Sequence, residues 1–135
     1  MTLVVDASVA ARWFLKLEKA ELAIELLNSG EHLIAPDLVI VETTNAAWKA
    51  RTFGGVSLDT VGDFVEKSAR LFHELVPAAD LKDRALAIAL DLKHPAYDCF
   101  YLALAEEREC RLITADERLQ NRCAKTRFSK LVSSL

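Results

Sequence analysis

The chain has 135 residues, 52% of them hydrophobic and 27% charged, with a formal net charge of −3. That balance suits a compact chain with a sizeable core, argues against disorder, and speaks against a protein that merely coats nucleic acid. No apolar run reaches the length of a membrane span, no basic leader precedes Asp6, and Cys99, Cys110 and Cys123, odd in number with no CxxC pair, read as reduced thiols of a cytoplasmic protein.

In chain order, Leu3-Val4-Val5 is a strand candidate and Ala7 to Leu15 turns helical. Glu18 to Asn28 reads as a helix that Gly30 stops, and His32 to Ala35 as a second strand. Pro36-Asp37 opens a helix to about Arg51. Its LVIVE start has strand-like composition, but Val39, Thr43, Ala46 and Ala50 continue one helical face. Ser57 caps a helix on which Leu58, Val61, Val65 and Phe72 recur at helical intervals. Glu74-Leu75-Val76 is a third strand, and Asp80 opens a helix with Leu81, Ala85, Ile88 and Leu92 inward. Pro95 suits the first turn of the next helix, which covers "HPAYDCFYLALAEE". Arg111 to Thr114 is a fourth strand, Glu117 to Ala124 a short helix, and Lys130 to Ser133 a fifth strand candidate. Strands alternating with helices predict one α/β domain over residues 1–135, three layers deep, around a mainly parallel sheet of four or five strands.

Three acids end apolar runs, Asp6 in "LVVDAS", Glu42 in "LVIVE" and Asp116 in "LITAD", and a fourth, Asp98 in "AYDCF", is the only charged residue from Pro95 to Ala105. Sites in open parallel sheets form beyond the carboxyl ends of strands, which puts Asp6 and Asp116 on one edge. Asp98 falls in a first helical turn, where the macrodipole favours a carboxylate, and Glu42 shares a helix face with Asn45. Singly, each acid also reads as a helix cap or a solvated side chain. Jointly they need a cation, because two unit charges about 4 Å apart repel by roughly 4 kcal/mol at an effective dielectric of about 20. The three histidines form no ligand pattern, so oxygen ligation of Mg²⁺ or Mn²⁺ is expected over zinc. Ser8 and Thr114 add hydroxyls beside Asp6 and Asp116. Arg108, Arg111, Arg118, Arg122, Lys125, Arg127 and Lys130 make the last stretch basic, either a solvated surface or a phosphate patch.

With "VVDASVAARWF", "APDLVIVETTNAAWK", "HPAYDCFYLALAEE" and "RLITADERLQNR" in this order, the chain resembles the PIN-domain ribonucleases, and among them the VapC toxins of toxin–antitoxin pairs. The resemblance covers essentially the whole chain. It implies that Asp6, Glu42, Asp98 and Asp116 are the metal-binding and catalytic acids, with Ser8, Asn45 and Thr114 as supporting polar groups. It further implies Mg²⁺- or Mn²⁺-dependent hydrolysis of RNA, a homodimer, and inhibition by a small VapB-like antitoxin. Lys49, Arg118 and Arg122 are then candidates for holding the RNA backbone. Trp13, Phe14, Leu17, Leu58, Phe64 and Phe72 read mainly as core, with some left for a dimer or antitoxin surface. An RNA-processing nuclease without a toxin role, and a silent binding module on the same fold, stay open. A phosphoacceptor signalling domain fits poorly, because a single acid follows the first strand and "ELVPAAD" lacks an acid at the third strand's end.

Overall fold

A computed structural model describes residues 1–135. Five strands, β1 (Thr2–Val5), β2 (His32–Pro36), β3 (Glu74–Val76), β4 (Arg111–Thr114) and β5 (Val132–Ser134), form one sheet in the order β3-β2-β1-β4-β5. Every neighbouring pair is parallel. β1 lies at the centre, with Leu3 opposite Leu33 on one side and opposite Arg111 on the other. Leu3, Val4 and Val5 are all buried, so both sheet faces are covered, as a continuous apolar strand requires.

The covering helices are α1 (Ala7–Ala11), α2 (Ala20–Leu27), α3 (Leu38–Gly54), α4 (Leu58–Lys67), α5 (Lys82–Leu92), α6 (Ala96–Glu107) and α7 (Glu117–Cys123). The result is the three-layer α/β/α arrangement expected from the alternation of elements. Helix α6 packs on β1, β2 and β4 with α5 against it. It buries Cys99, Tyr101, Leu102, Ala103, Leu104 and Ala105, a nearly all-round apolar helix wedged between sheet and neighbour. A satellite cluster of Ala11, Leu15, Ala47 and Phe64 ties α1, α3 and α4 together beside the main core.

The ambiguous LVIVE segment is helical: α3 runs to Gly54 and ends on Gly55 at φ +64°, a left-handed stop that glycine adopts without strain. Its inner face is Val39, Thr43 and Ala47, with Ala46 and Ala50 only half-buried.

Several expectations need correction. Helix α1 ends at Ala11 instead of Leu15. The segment beyond forms turns, fixed where the Trp13 indole donates to the Ala23 carbonyl at 3.0 Å. Helix α2 starts at Ala20, after Lys19 takes a left-handed conformation at φ +66°. On α4 the buried residue is Phe64, while Leu58 and Val65 are exposed and Phe72 lies beyond a 3-10 turn at Ser68–Leu71. Asp80 ends a 3-10 turn that Pro77 introduces, and α5 begins only at Lys82, although Leu81, Ala85, Ile88 and Leu92 do face inward. Pro95 is the N-cap of α6, one residue before its first turn. A 3-10 turn over Arg127–Leu131 delays β5 to Val132. No helix is long and apolar enough to cross a membrane, and all three cysteines are free.

Candidate active site

From central β1 the chain builds β2 and β3 to one side, then crosses back to place β4 and β5 on the other. The strand order reverses between β1 and β4, where a crevice opens at the carboxyl ends. Asp6 leaves β1 at that point and caps α1. Its Oδ1 accepts from the Ser8 amide at 3.1 Å, the Ser8 hydroxyl at 2.5 Å and the Val9 amide at 3.3 Å. Its Oδ2 accepts from the Thr114 hydroxyl at 2.5 Å. Asp6 is only 5% exposed. Burial pushes its carboxyl up to about 6, against the relief from Ser8, Thr114 and Val9, and the Asp98 charge adds to the rise.

Thr114 and Ser8 connect this acid to the next segment. The Thr114 oxygen accepts from the Asp116 amide at 3.0 Å, and the Ser8 oxygen accepts from the Ala115 amide at 2.9 Å. Asp116 in turn caps α7, accepting from the Arg118 and Leu119 amides at 2.9 and 3.4 Å. Both capping readings of Asp6 and Asp116 therefore describe real bonds, and Asp116 opens onto a separate cavity with Arg12, Glu18, Lys19, Glu117 and Arg118.

Glu42 comes from α3. Burial raises its carboxyl above the usual range, a hydrogen bond from Tyr101 lowers it, and the Asp98 and Asp6 charges raise it again. Asp6, Glu42 and Asp98 thus lie within electrostatic reach of one another. The Tyr101 hydroxyl, from the buried face of α6, reaches Glu42 Oε1 at 2.6 Å. Asp98, in the first turn of α6, is about a quarter exposed, and its Oδ2 stands 2.6 Å from His94 Nε2. The histidines form no ligand pattern along the chain, yet His94 is bonded to one of the acids.

Tyr101 and His94 are the site residues that the sequence pattern passed over. Tyr101 sits three residues after Asp98 in an apolar helix, where a buried phenol must find a partner. His94 lies four before Asp98, a spacing hidden by the intervening proline.

Ser8, Glu42, Asn45 and Lys49 line one cavity of about 550 Å³, together with Tyr97 and apolar residues of α1 and α3. Asn45 and Lys49 stand one turn apart on α3, both exposed. Arg118 and Arg122 open onto a different cavity with His94. The basic C-terminal stretch is not one patch. Arg108 pairs with Glu74, Arg127 with Asp91, and Arg111 donates to the Val132 carbonyl.

No three Asp, Glu, His or Cys side chains converge closely enough to form a ready-made metal site. The donor chemistry nevertheless fits a hard divalent cation. Glu42 and Asp98 each commit one oxygen to Tyr101 or His94, leaving Oε2 and Oδ1 without a protein partner. Burial first, and neighbouring charge second, raises the proton affinities of Asp6 and Glu42, and a bound cation would offset the cost of their ionised forms.

The family model for the PIN domain matches residues 3–125. Ribonuclease VapC3 of Pyrobaculum aerophilum is 36% identical over 124 residues, 88% of this chain and 92% of its own length. Among solved structures, PAE2754 from Pyrobaculum aerophilum superposes with a TM-score of 0.72 at 24% identity, covering 99% of this chain and 92% of the other. VapBC2 from Rickettsia felis, bound to a DNA fragment from its promoter, gives 0.69 at 10% identity over 100% and 99% of the two chains. A toxin–antitoxin complex from Klebsiella pneumoniae gives 0.67 at 17% identity over 97% and 95%. These three likenesses speak to the fold alone.

Proposed function

The chain belongs to the PIN-domain family, with a VapC ribonuclease among its relatives, and from that premise we propose that it is a metal-dependent endoribonuclease, the toxin of a toxin–antitoxin pair. The observation that carries the reading is the placement of Asp6 at the β1–β4 switch point, bonded to Thr114 of β4, near enough to Asp98 and Glu42 that the Asp98 charge acts on Asp6 and both aspartates act on Glu42.

In this reading Asp6, Glu42, Asp98 and Asp116 hold Mg²⁺ or Mn²⁺. When bound, such an ion polarises a phosphoryl oxygen and makes a nucleophilic water available at neutral pH. The chain's own work is placement. Ser8 and Thr114 fix both oxygens of Asp6, so this acid cannot swing away when a charged substrate enters. Tyr101 holds Glu42 by one oxygen and His94 holds Asp98 by one, which leaves the other oxygen of each for ligation. Asn45 and Lys49 stand along the same cavity as Glu42, positioned to contact the RNA backbone. The exposed apolar residues Val41, Trp48 and Phe53 on α3 and Tyr97 on α6 border this cavity or continue its helix, and offer a surface for a VapB-like antitoxin or a second copy.

The test is cleavage of a mixed single-stranded RNA by wild type and Asp98→Asn, with Mg²⁺ or Mn²⁺ and with EDTA. Cleavage by wild type alone, lost with EDTA, is expected. Equal cleavage by both proteins overturns the assignment of Asp98, and retention in EDTA overturns the metal.

A further inference from the structure

A second cavity shares a wall with the acid crevice. It encloses about 520 Å³ and is lined by His94, Arg118, Asn121, Arg122 and Ala124. His94 is the shared wall: its Nε2 is bonded to Asp98 Oδ2 at 2.6 Å, and its side chain is 9% exposed. One imidazole ring therefore separates Asp98 from a space whose other charged groups are both cationic.

Those cations stand out among the arginines of the chain. Arg84 forks onto Glu106 and Arg108 onto Glu74, while Arg127 pairs with Asp91. Arg12 and Arg51 donate to backbone carbonyls. Arg118 and Arg122 make no ion pair and donate no side-chain hydrogen bond, and both are exposed. They lie four apart on α7, a helix of seven residues, so two like charges sit on one face. Like charges at that spacing destabilise a helix, and α7 is too short to offset them by propensity. An anion between the two guanidinium groups removes the repulsion. Guanidinium forks match phosphate oxygens in geometry, and the Asn121 amide adds a donor beside them.

We infer that this cavity is a subsite for a phosphodiester of the RNA strand, the one flanking the bond to be cut; the identity of the ligand rests on the ribonuclease reading. The strand runs from the Glu42–Asn45–Lys49 cavity, past Asp98, over His94 and onto Arg118 and Arg122. In that arrangement the α7 arginines act on binding and register, with no part in the chemistry at the acids.

The experiment follows the anisotropy of a fluorescein-labelled, twelve-nucleotide single-stranded RNA in EDTA over a range of salt. Wild type is compared with Arg118→Gln/Arg122→Gln and with a control of equal charge change, Lys67→Gln/Lys82→Gln, at two exposed lysines far along the chain. Affinity is expected to fall roughly tenfold in the arginine variant, with the slope of log K against log salt flattening by about 0.7 for each phosphate released. The lysine variant is expected to match wild type. Equal affinity and slope in wild type and the arginine variant overturn the subsite, as does a wild type that binds a polyglutamate peptide through these arginines but no RNA. Cleavage with Mn²⁺ is assayed in parallel and separates the two readings. An arginine-dependent slope without any cleavage keeps the subsite and removes the nuclease. Cleavage without an arginine-dependent slope does the reverse.

Discussion

The Tyr101 hydroxyl donates a 2.6 Å hydrogen bond to Oε1 of Glu42, joining the buried face of α6 to α3 across 59 positions of chain. This bond lowers the Glu42 proton affinity, against burial and the neighbouring acids that raise it. Tyr101→Phe removes it while preserving the ring's packing. The variant is expected to lose about 1 kcal/mol of stability and to shift the acidic limb of its cleavage–pH profile upward. An acidic limb that stays in place would show that Tyr101 only fills space.

Asp6 carries a pH signature in the metal-free protein. Its folded-state carboxyl titrates at about 6, against the usual 3.8. The native state therefore binds a proton that the unfolded chain has already released between those values. This contribution to stability is fully present below the unfolded value and is lost as pH rises through about 6, an effect of roughly 3 kcal/mol. In EDTA, Asp6→Asn should gain stability relative to wild type across that window and keep the gain at neutral pH. Thermal melts of both proteins at stepped pH check this, and a difference independent of pH would refute it.

Asp116 has two separable duties. Its side chain caps α7 through the Arg118 and Leu119 amides, and its charge belongs to the proposed metal set. Asparagine is a good N-cap without the charge, whereas alanine is neither. Asp116→Asn is expected to keep stability within about 0.5 kcal/mol, and Asp116→Ala to lose about 1 kcal/mol. Both should lose most RNA cleavage. If only the alanine variant loses activity, the cap matters and the charge does not.

Phe64 is fully buried and stacks on Phe14 with ring centroids 5.4 Å apart. It holds α4 against α1 and the helix that carries Glu42. Phe64→Ala should cost roughly 3–5 kcal/mol and lower the melting temperature by about 10–18 °C. A loss under 1 kcal/mol, measured by denaturant titration, would mean that this small cluster does not tie the helices together.

The alternation of elements and the all-parallel sheet were legible because buried strands such as Leu3-Val4-Val5 are continuous apolar runs bounded by turns. Helix α3 was readable through LVIVE because a helical period of Val39, Thr43, Ala46 and Ala50 runs well beyond strand length, although Ala47 and not Ala46 proves the buried residue. The ends of α1 and α4 were not, since they depend on tertiary bonds such as that from Trp13 to Ala23 and on Phe64 replacing Leu58 and Val65 as the inward residue. In the candidate site, Asp6, Glu42 and Asp116 were visible as acids closing apolar runs, and Asp98 as the lone charge inside one. His94 and Tyr101 were not, because each matters through a partner and periodicity carries no information about pairing. The same blindness made the basic end look continuous, although Arg108 and Arg127 are neutralised by acids from distant segments.

The bond between Thr114 and Asp6 spans 108 positions and ties the first acid of the proposed set to β4. During translation, Asp6 leaves the ribosome long before β4 exists to dock beside β1. A chain lacking β4 has no partner for Asp6 Oδ2, which bonds Thr114, and keeps only the local bonds of Oδ1 to Ser8 and Val9. In the proposed reading, the acid set is complete only once β4, which leads directly into Asp116, is docked beside β1.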